Sequence, residues 1–401
     1  MKEPAFSTRS AIVFAAAFLG YFLLSRNDHT AYNNFVLLAD AWLHGHVWIA
    51  KPESWIDALP YNGHWYIINV PIPAVLLLPL VAVYGANANQ TIVSVLCGAI
   101  AVAAADVTFG RMGVSAFWRG RLTLFFALGT VLWWCAANGA VWMYAHVVAV
   151  MFAMLALAEW YGRRRPWLLG ILLACAVYSR FPMVLAVPPL LVWLWLSAPA
   201  ERRWRDLASF AYGFVPFVAA SLGYNYLRYG SVMDVGYTLF YHMDAVGGGG
   251  KQYCTSCTYT GSPTGSPFAL QFLAKNLYSF FMLPPQLIDQ APYFQLTGQG
   301  VALTFTSPLL FLALAAPVRK IESIVMWAAA LLVAVPSLLY YLNGCEQFGM
   351  RHSLDFTPFL MVLLARGVER VPLLLSLVLL AYSLAANLFG MIHPFTPVPC
   401  G

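Results

Sequence analysis

Charge is scarce in this sequence. The 22 Lys+Arg and 16 Asp+Glu make up only 9% of 401 residues, where soluble domains carry about 25%. So few charges cannot clothe a water-soluble globule, and 61% hydrophobic residues with a mean hydropathy of +0.70 point the same way. The scarcity excludes a soluble enzyme and a disordered chain. It also excludes nucleic acid as a partner, because the net charge of +6 is spread along the chain rather than gathered in a basic patch. Seven cysteines are too few for a disulfide scaffold. Between the apolar runs there is no D-x-D, H-E-x-x-H, G-x-G-x-x-G or P-loop pattern, so chelated-metal nucleotide-sugar chemistry finds no support. A divalent cation is compatible with the sequence but nothing in it asks for one.

What is present is a series of long apolar runs, the mark of an all-α polytopic membrane protein. Eleven spans are expected, at approximately 10–25, 89–109, 121–137, 141–161, 166–179, 183–197, 207–225, 304–317, 321–342, 356–368 and 371–391. The runs near 166 and 356 are short enough to be tilted or partly re-entrant. Lys2 and Arg9 precede the first run as they would a signal peptide, but no small-x-small cleavage pattern follows Leu24, so it is read as an uncleaved helix. With the N-terminus cytoplasmic, the segments 2–9, 111–121, 163–165, 202–205, 319–320 and 366–370 hold 15 of the 22 bases. That asymmetry sets the orientation in a plasma (inner) membrane and leaves the C-terminal tail outside.

The chain thus reads as one transmembrane domain, residues 1–401, with two long extracytoplasmic loops at 26–88 and 226–303. Loops of that length usually carry function. In the first, Ala31, Phe35, Leu38 and Trp42 recur at helical spacing, which predicts an amphipathic helix on the membrane surface. A turn-rich stretch with Pro52, Pro60 and Gly63 follows. The run 70–85 contains three prolines and has no cytoplasmic bases beside it, so it is expected to be a second interfacial or half-buried helix. The second loop holds the glycine run Gly247 to Gly250, a Ser/Thr/Gly/Pro stretch from Thr258 to Pro267, and a third surface helix at 268–283 with a polar stripe of Gln271, Lys275 and Ser279.

Few ionisable groups sit where a membrane makes them costly, and those are the candidates for chemistry. Asp28 follows the first span and would be held at the outer boundary, either as a functional carboxylate or as the N-cap of a helix starting near Thr30. Arg180, in YSRFPM, joins two spans without a loop to carry it into water, so it either snorkels or grips an anion as only a guanidinium fork can. Arg351, His352 and Asp355 cluster in EQFGMRHSLDF. An i,i+4 ion pair between Arg351 and Asp355 is the plain reading, and a phosphate-binding pair oriented by Asp355 the functional one. His146 in WMYAHVV and Arg228 in NYLRYGSVMDVGY face the same choice between packing and binding. Cys254 and Cys257 form CTSC and lack further metal ligands, so a disulfide within the pair or to Cys345 is expected.

Taken in order, RNDHTAYN after the first span, the Tyr-x-Gly-x-x-Tyr of YNGHWY before the proline-rich VPIPAVLLLP, SRFP between the fifth and sixth spans, NYLRYGSVMDVGY and FGMRHSLDFTPFL resemble the GT-C superfamily of membrane glycosyltransferases. That is the fold of the protein O-mannosyltransferases and the aminoarabinose transferases. The resemblance covers most of the chain and implies transfer of a sugar from a polyprenyl-phosphate carrier to a glycan, lipid or protein hydroxyl on the outer face, usually with inversion. It implies Asp28 as general base, Arg180 and Arg351 as the cations on the leaving phosphate, and His146, Arg228 and His352 as further phosphate ligands. His29, Tyr32, Asp40 and Asp355 would then serve the acceptor or support these groups. The chain departs from the family in carrying His29 rather than a second acid after Asp28, and in lacking a large C-terminal soluble domain, which leaves acceptor recognition to the loop at 226–303. A lipid or solute transporter is the competing reading. It asks for a central polar path, whereas the polar candidates here gather at the outer mouth.

Overall fold

The computed structural model describes residues 7–25, 28–233, 236 and 267–393. Every expected apolar run is helical. Five helices reach bilayer length unaided: α1 (Thr8–Ser25), α4 (Gln90–Arg111), α7 (Val141–Trp160), α13 (Ile321–Leu339) and α15 (Leu373–Ile392). So does α10 (Arg203–Tyr229), which together with its 3-10 lead-in makes six. A seventh crossing forms only if α5 (Ala116–Leu128) and α6 (Leu132–Asn138), bent by 45° at their junction, are taken as one. The other four expected spans are shorter. Residues 166–177 form α8 (Pro166–Val177), and Phe181–Ala186 is a 3-10 turn leading into α9 (Val187–Ser197). The run near 304 is the single turn α12 (Leu303–Thr306) plus 3-10 helix Pro308–Ala315, and the run near 356 is α14 (Thr357–Gly367). Proline explains part of this: Pro182, Pro188, Pro189 and Pro308 remove amide donors where a straight helix would need them. The chain is therefore all-α and polytopic; six or seven helices among the described residues are long and apolar enough to cross a bilayer, and the expected count of eleven is not confirmed.

Helix α7 is the axis of the bundle. Its central window is 83% buried, and it lies against α4 and α8, whereas the corresponding window of α10 is 11% buried. Apolar side chains such as Trp204, Tyr212 and Leu227 on α10 are exposed, as are Leu23 on α1 and Leu374 on α15. An apolar surface this extensive belongs in lipid. α10 is fixed to the bundle through α8, where Gly170 and Gly213 let the two backbones touch, since a Cβ on either would collide with the main chain of the other helix. At the end of the bundle away from the site, Asp106 inside α4 is fully buried and takes Arg9 of α1 at 2.9 Å and Arg119 of α5 at 2.7 Å. Glu159 with Arg165 and Glu322 with Arg366 tie the same end.

The first loop is more deeply packed than the sequence suggests. α2 (Asn34–Leu43) is not a surface helix: Asn34, Phe35 and Leu38 are fully buried, and the Asn34 amide donates to the Asp57 carbonyl. Its N-cap position is Asn33, so Asp28 caps no helix. The turn-rich stretch contains an unexpected hairpin, β1 (Ala58–Tyr61) with β2 (His64–Ile67), closed at Asn62 and Gly63. Both turn residues have positive φ, 47° and 79°, the requirement that makes Asn-Gly a hairpin signal. α3 (Ile72–Tyr84) is half-buried as expected, with Ala74 and Leu77 inward and Val75 and Val83 outward. In the second loop α11 (Leu273–Phe281) forms, but its polar stripe divides: Lys275 is exposed, while Ser279 is buried beside Asn276. Asn276 donates to the carbonyls of Ser337, Leu338 and Tyr340, which the end of α13 leaves unpaired. The glycine run, the Ser/Thr/Gly/Pro stretch through residue 266, Cys254 and Cys257 lie outside the described residues. Cys345 is disulfide-bonded.

Candidate active site

The N-terminal end of α7 gathers groups from three distant parts of the chain. His146 stands one turn in and is fully buried. Arg180 enters from the extended residue between α8 and the following 3-10 turn, and Arg351, His352 and Asp355 lie on the 3-10 turn Arg351–Asp355 just before α14. Asp355 accepts from His146 Nδ1 on Oδ1 at 2.6 Å and from Arg180 Nε and Nη2 on Oδ2 at 3.3 and 3.2 Å. Arg180 Nη2 also donates to His352 Nδ1 at 3.3 Å, and the two imidazoles meet edge to face at 5.1 Å.

The expected i,i+4 pair of Arg351 with Asp355 does not form. A 3-10 turn advances 120° per residue, so positions four apart diverge, and Asp355 is claimed by Arg180 and His146 instead. Arg351 turns the other way: its Nη1 donates to the Cys345 carbonyl at 2.8 Å and to Gln347 Oε1 at 3.1 Å, and its Nε has no partner. Arg351 is 6% exposed and forms no ion pair among the described residues, yet it lies near enough to Arg180 to be repelled by it. Burial, with Arg180 adding to it, lowers the Arg351 guanidinium to about 10, still charged at neutral pH. Burial alone would raise the Asp355 carboxyl, but Arg180 and the His146 hydrogen bond outweigh it and hold it below the usual carboxylate range. His352 is pushed well below the ordinary histidine value by burial and by Arg351, His146 and Arg180, and is neutral at physiological pH.

His146, His352 and Asp355 offer ligand atoms within 4.8 Å of one another, a spacing a cation could use. Both Asp355 oxygens are already engaged, however, and the Arg180 fork stands against the trio, which makes the cluster a harsh place for a metal ion.

The other expected residues are placed elsewhere. Arg228 is buried against the hairpin: Nη1 donates to the Ile67 carbonyl at 3.0 Å, Nη2 to Asn225 Oδ1 at 2.9 Å, and the guanidinium lies over Tyr224 and Tyr229. It supports the first loop and takes no part in the Asp355 network. Asp28 and His29 are exposed, and no described side chain engages the Asp28 carboxylate, whose own backbone N–H closes the end of α1 on Ser25. Asp40 lines a cavity of about 650 Å³ with His44, Trp48, Lys51, Glu53 and Trp55. The cavity lining includes none of His146, Arg180, Arg351, His352 and Asp355.

Three further residues complete the surroundings. Trp142, four positions before His146 and hence on the same face of α7, donates its indole N–H to Asp57 Oδ2 at 2.8 Å and packs on Tyr32 with ring centroids 4.8 Å apart. The Tyr32 hydroxyl donates to Glu346 at 3.5 Å. Asp57 lies in the first long loop expected outside and Glu346 in the connection between the expected spans 321–342 and 356–368, and nothing local in the sequence singles them out from the other acids.

The fold and this cluster define a polytopic helical membrane protein with a cationic site at one end of its bundle. No protein-family model and no curated protein matches the chain. Two solved structures are similar to it. One is ArnT from Cupriavidus metallidurans bound to undecaprenyl phosphate, with 13% identity and a TM-score of 0.49 over 96% of this chain and 63% of that one. The other is the Archaeoglobus fulgidus oligosaccharyltransferase in its apo form, with 13% identity and a TM-score of 0.49 over 98% of this chain and 56% of that one. The chain thus spans less than two thirds of the length of either.

Proposed function

We propose that the protein is a membrane glycosyltransferase using a polyprenyl-phosphate-linked sugar, with its active site on the extracytoplasmic face. The observation that carries this reading is Arg351, a buried guanidinium with no carboxylate partner among the described residues, held close to a second guanidinium, Arg180. Arg180 already has Asp355, but the buried charge of Arg351 has no carboxylate among the described residues and calls for an anion, and the planar forks of Arg fit a phosphate. Asp355 pre-orients Arg180, and Gln347 pre-orients Arg351. Neutral His352 supplies a further polar contact.

In the reaction, an acceptor hydroxyl attacks the anomeric carbon of the donor, and Asp28, exposed and unengaged, takes its proton. The bond between that carbon and the phosphate oxygen breaks, and the electron pair stays on the polyprenyl phosphate, whose growing charge Arg180 and Arg351 stabilise. Direct displacement inverts the anomeric centre. The cavity at Asp40, His44 and Trp55 is the proposed approach for the acceptor.

The disulfide at Cys345, next to Glu346, supports an extracytoplasmic site, because disulfides persist in oxidising compartments. The transporter reading is disfavoured by α7, where every residue from Val147 to Ala158 is apolar, so the central helix itself offers no polar side chain to a path through the bundle. The test is sugar transfer by the purified protein in lipid nanodiscs, supplied with polyprenyl-phosphate sugars and a membrane extract as acceptor. Asp28→Asn should lower transfer by about 10²- to 10⁴-fold while leaving thermal unfolding unchanged. Full activity in that variant removes Asp28 from the mechanism, and no binding of undecaprenyl phosphate by the wild type overturns the reading as a whole.

A further inference from the structure

Beside the two guanidiniums is a second cluster that the phosphate chemistry does not use. Tyr32 and Trp142 are both half-buried, their rings inclined at 47°, and each is tied to a carboxylate: Trp142 to Asp57 and Tyr32 to Glu346. The arrangement is braced from behind. The Tyr32 carbonyl accepts from the Val141 amide at 3.0 Å and from Gln90, and Asn34 holds the Asp57 backbone. Glu346 sits at φ 48°, a left-handed conformation that non-glycine residues seldom adopt, and the chain reaches it through Gly344 at φ 112°. The loop therefore holds this carboxylate up to Tyr32 at some cost in backbone strain.

The two clusters adjoin. Trp142 and His146 share a face of α7, Arg351 is hydrogen-bonded to the carbonyl of the residue before Glu346, and Asp57 lies close enough to Arg351 to act on its charge. A group attached to a phosphate held by Arg180 and Arg351 would reach this second cluster next. Aromatic faces stack on the C–H faces of a sugar ring, and carboxylates accept its hydroxyls. The same carboxylates repel an anion.

Resting on the donor reading above, we infer that Tyr32, Trp142, Asp57 and Glu346 form the subsite for the donor's glycosyl group, and that the group is an uncharged or amine-bearing sugar rather than a uronic acid or a phosphorylated one. Glu346 and Asp57 accept hydroxyl or ammonium protons of the ring, and Trp142 and Tyr32 form the wall it packs against.

The experiment measures binding by native mass spectrometry of the full chain in nanodiscs. The probes are undecaprenyl phosphate alone and the same lipid carrying glucose, mannose, arabinose or glucuronic acid. At least one neutral glycolipid should bind about tenfold more tightly than the bare lipid, and the glucuronate form no more tightly than it. Glu346→Gln and Trp142→Ala should each erase that advantage while the affinity for bare undecaprenyl phosphate stays within about twofold. Trp142→Phe, which keeps a ring but loses the N–H to Asp57, should erase part of it and guards against an unfolded Ala variant. An advantage that survives both Glu346→Gln and Trp142→Phe, a preference for the glucuronate lipid, or no preference for any sugar overturns the subsite. If the bare lipid fails to bind the wild type, the donor reading fails and the subsite falls with it.

Discussion

Arg180 and Asp355, 175 residues apart in sequence, meet at 3.2 Å, and the same carboxylate takes His146 on its other oxygen. One buried acid thus fixes the direction of a guanidinium and an imidazole from two other elements, and the chemistry of the site depends on that alignment.

If Arg180 grips phosphate through its fork, Arg180→Lys keeps the charge and loses the geometry. Affinity for undecaprenyl phosphate should then fall about tenfold, roughly 1.4 kcal/mol, with thermal unfolding little changed. Binding in nanodiscs measures this, and wild-type affinity in the Lys variant would show that charge alone suffices.

Asp355→Asn removes one partner of a buried network and leaves Arg180 uncompensated. Breaking a buried pair costs on the order of 3 kcal/mol, read as a lower unfolding temperature in detergent, and lipid-phosphate affinity should drop with it. A variant as stable as the wild type would mean that Asp355 does not organise the cluster.

The protein should lose stability on mild acidification, and His352 should contribute. Its folded value lies below the unfolded value of about 6.5, so below pH 6.5 the unfolded chain takes up a proton that the folded one refuses. Stability then falls by about 1 kcal/mol per pH unit. Asp355, also depressed, contributes stability that is complete above the unfolded carboxyl value and is lost only in stronger acid, below about pH 4. Unfolding temperatures from pH 8 to pH 5 should decline in the wild type and decline less in His352→Gln; identical slopes would refute the assignment.

The crossing of α8 and α10 tolerates no side chain at its centre. Gly213→Ala should destabilise by about 1–3 kcal/mol, because the new methyl meets the backbone at Trp167. Gly223→Ala on the same helix, where nothing lies nearby, should not. Equal unfolding temperatures for the two variants would show that the helices separate easily.

Much of the helical plan was legible because burying backbone in lipid leaves only hydrogen-bonded helices available, and apolar runs announce them. Their lengths were less legible. Pro182, Pro188 and Pro308 shorten elements that composition alone would let span, and Gly129 at the bend between α5 and α6 sits in a mostly apolar run whose Thr123 and Thr130 announce no break. Asn62-Gly63 is a readable hairpin signal, but strands of only four residues leave too short an alternation beside it to announce a hairpin.

The sequence by itself determined that this is a helical membrane protein, because too little charge is present to face water. It also reduced the candidate chemistry to a few ionisable residues, since a membrane tolerates such groups only where they are paired or used. Tertiary structure alone decided which of them meet. Arg180, Asp355 and His146 converge while Arg228 is spent on the first loop, and Asp355 refuses its neighbour Arg351. Such pairings are set by the direction each side chain takes from its own turn of helix, and hydropathy carries no record of direction. The same is true of Trp142, Tyr32, Asp57 and Glu346, ordinary residues until packing set two rings and two carboxylates beside a pair of guanidiniums.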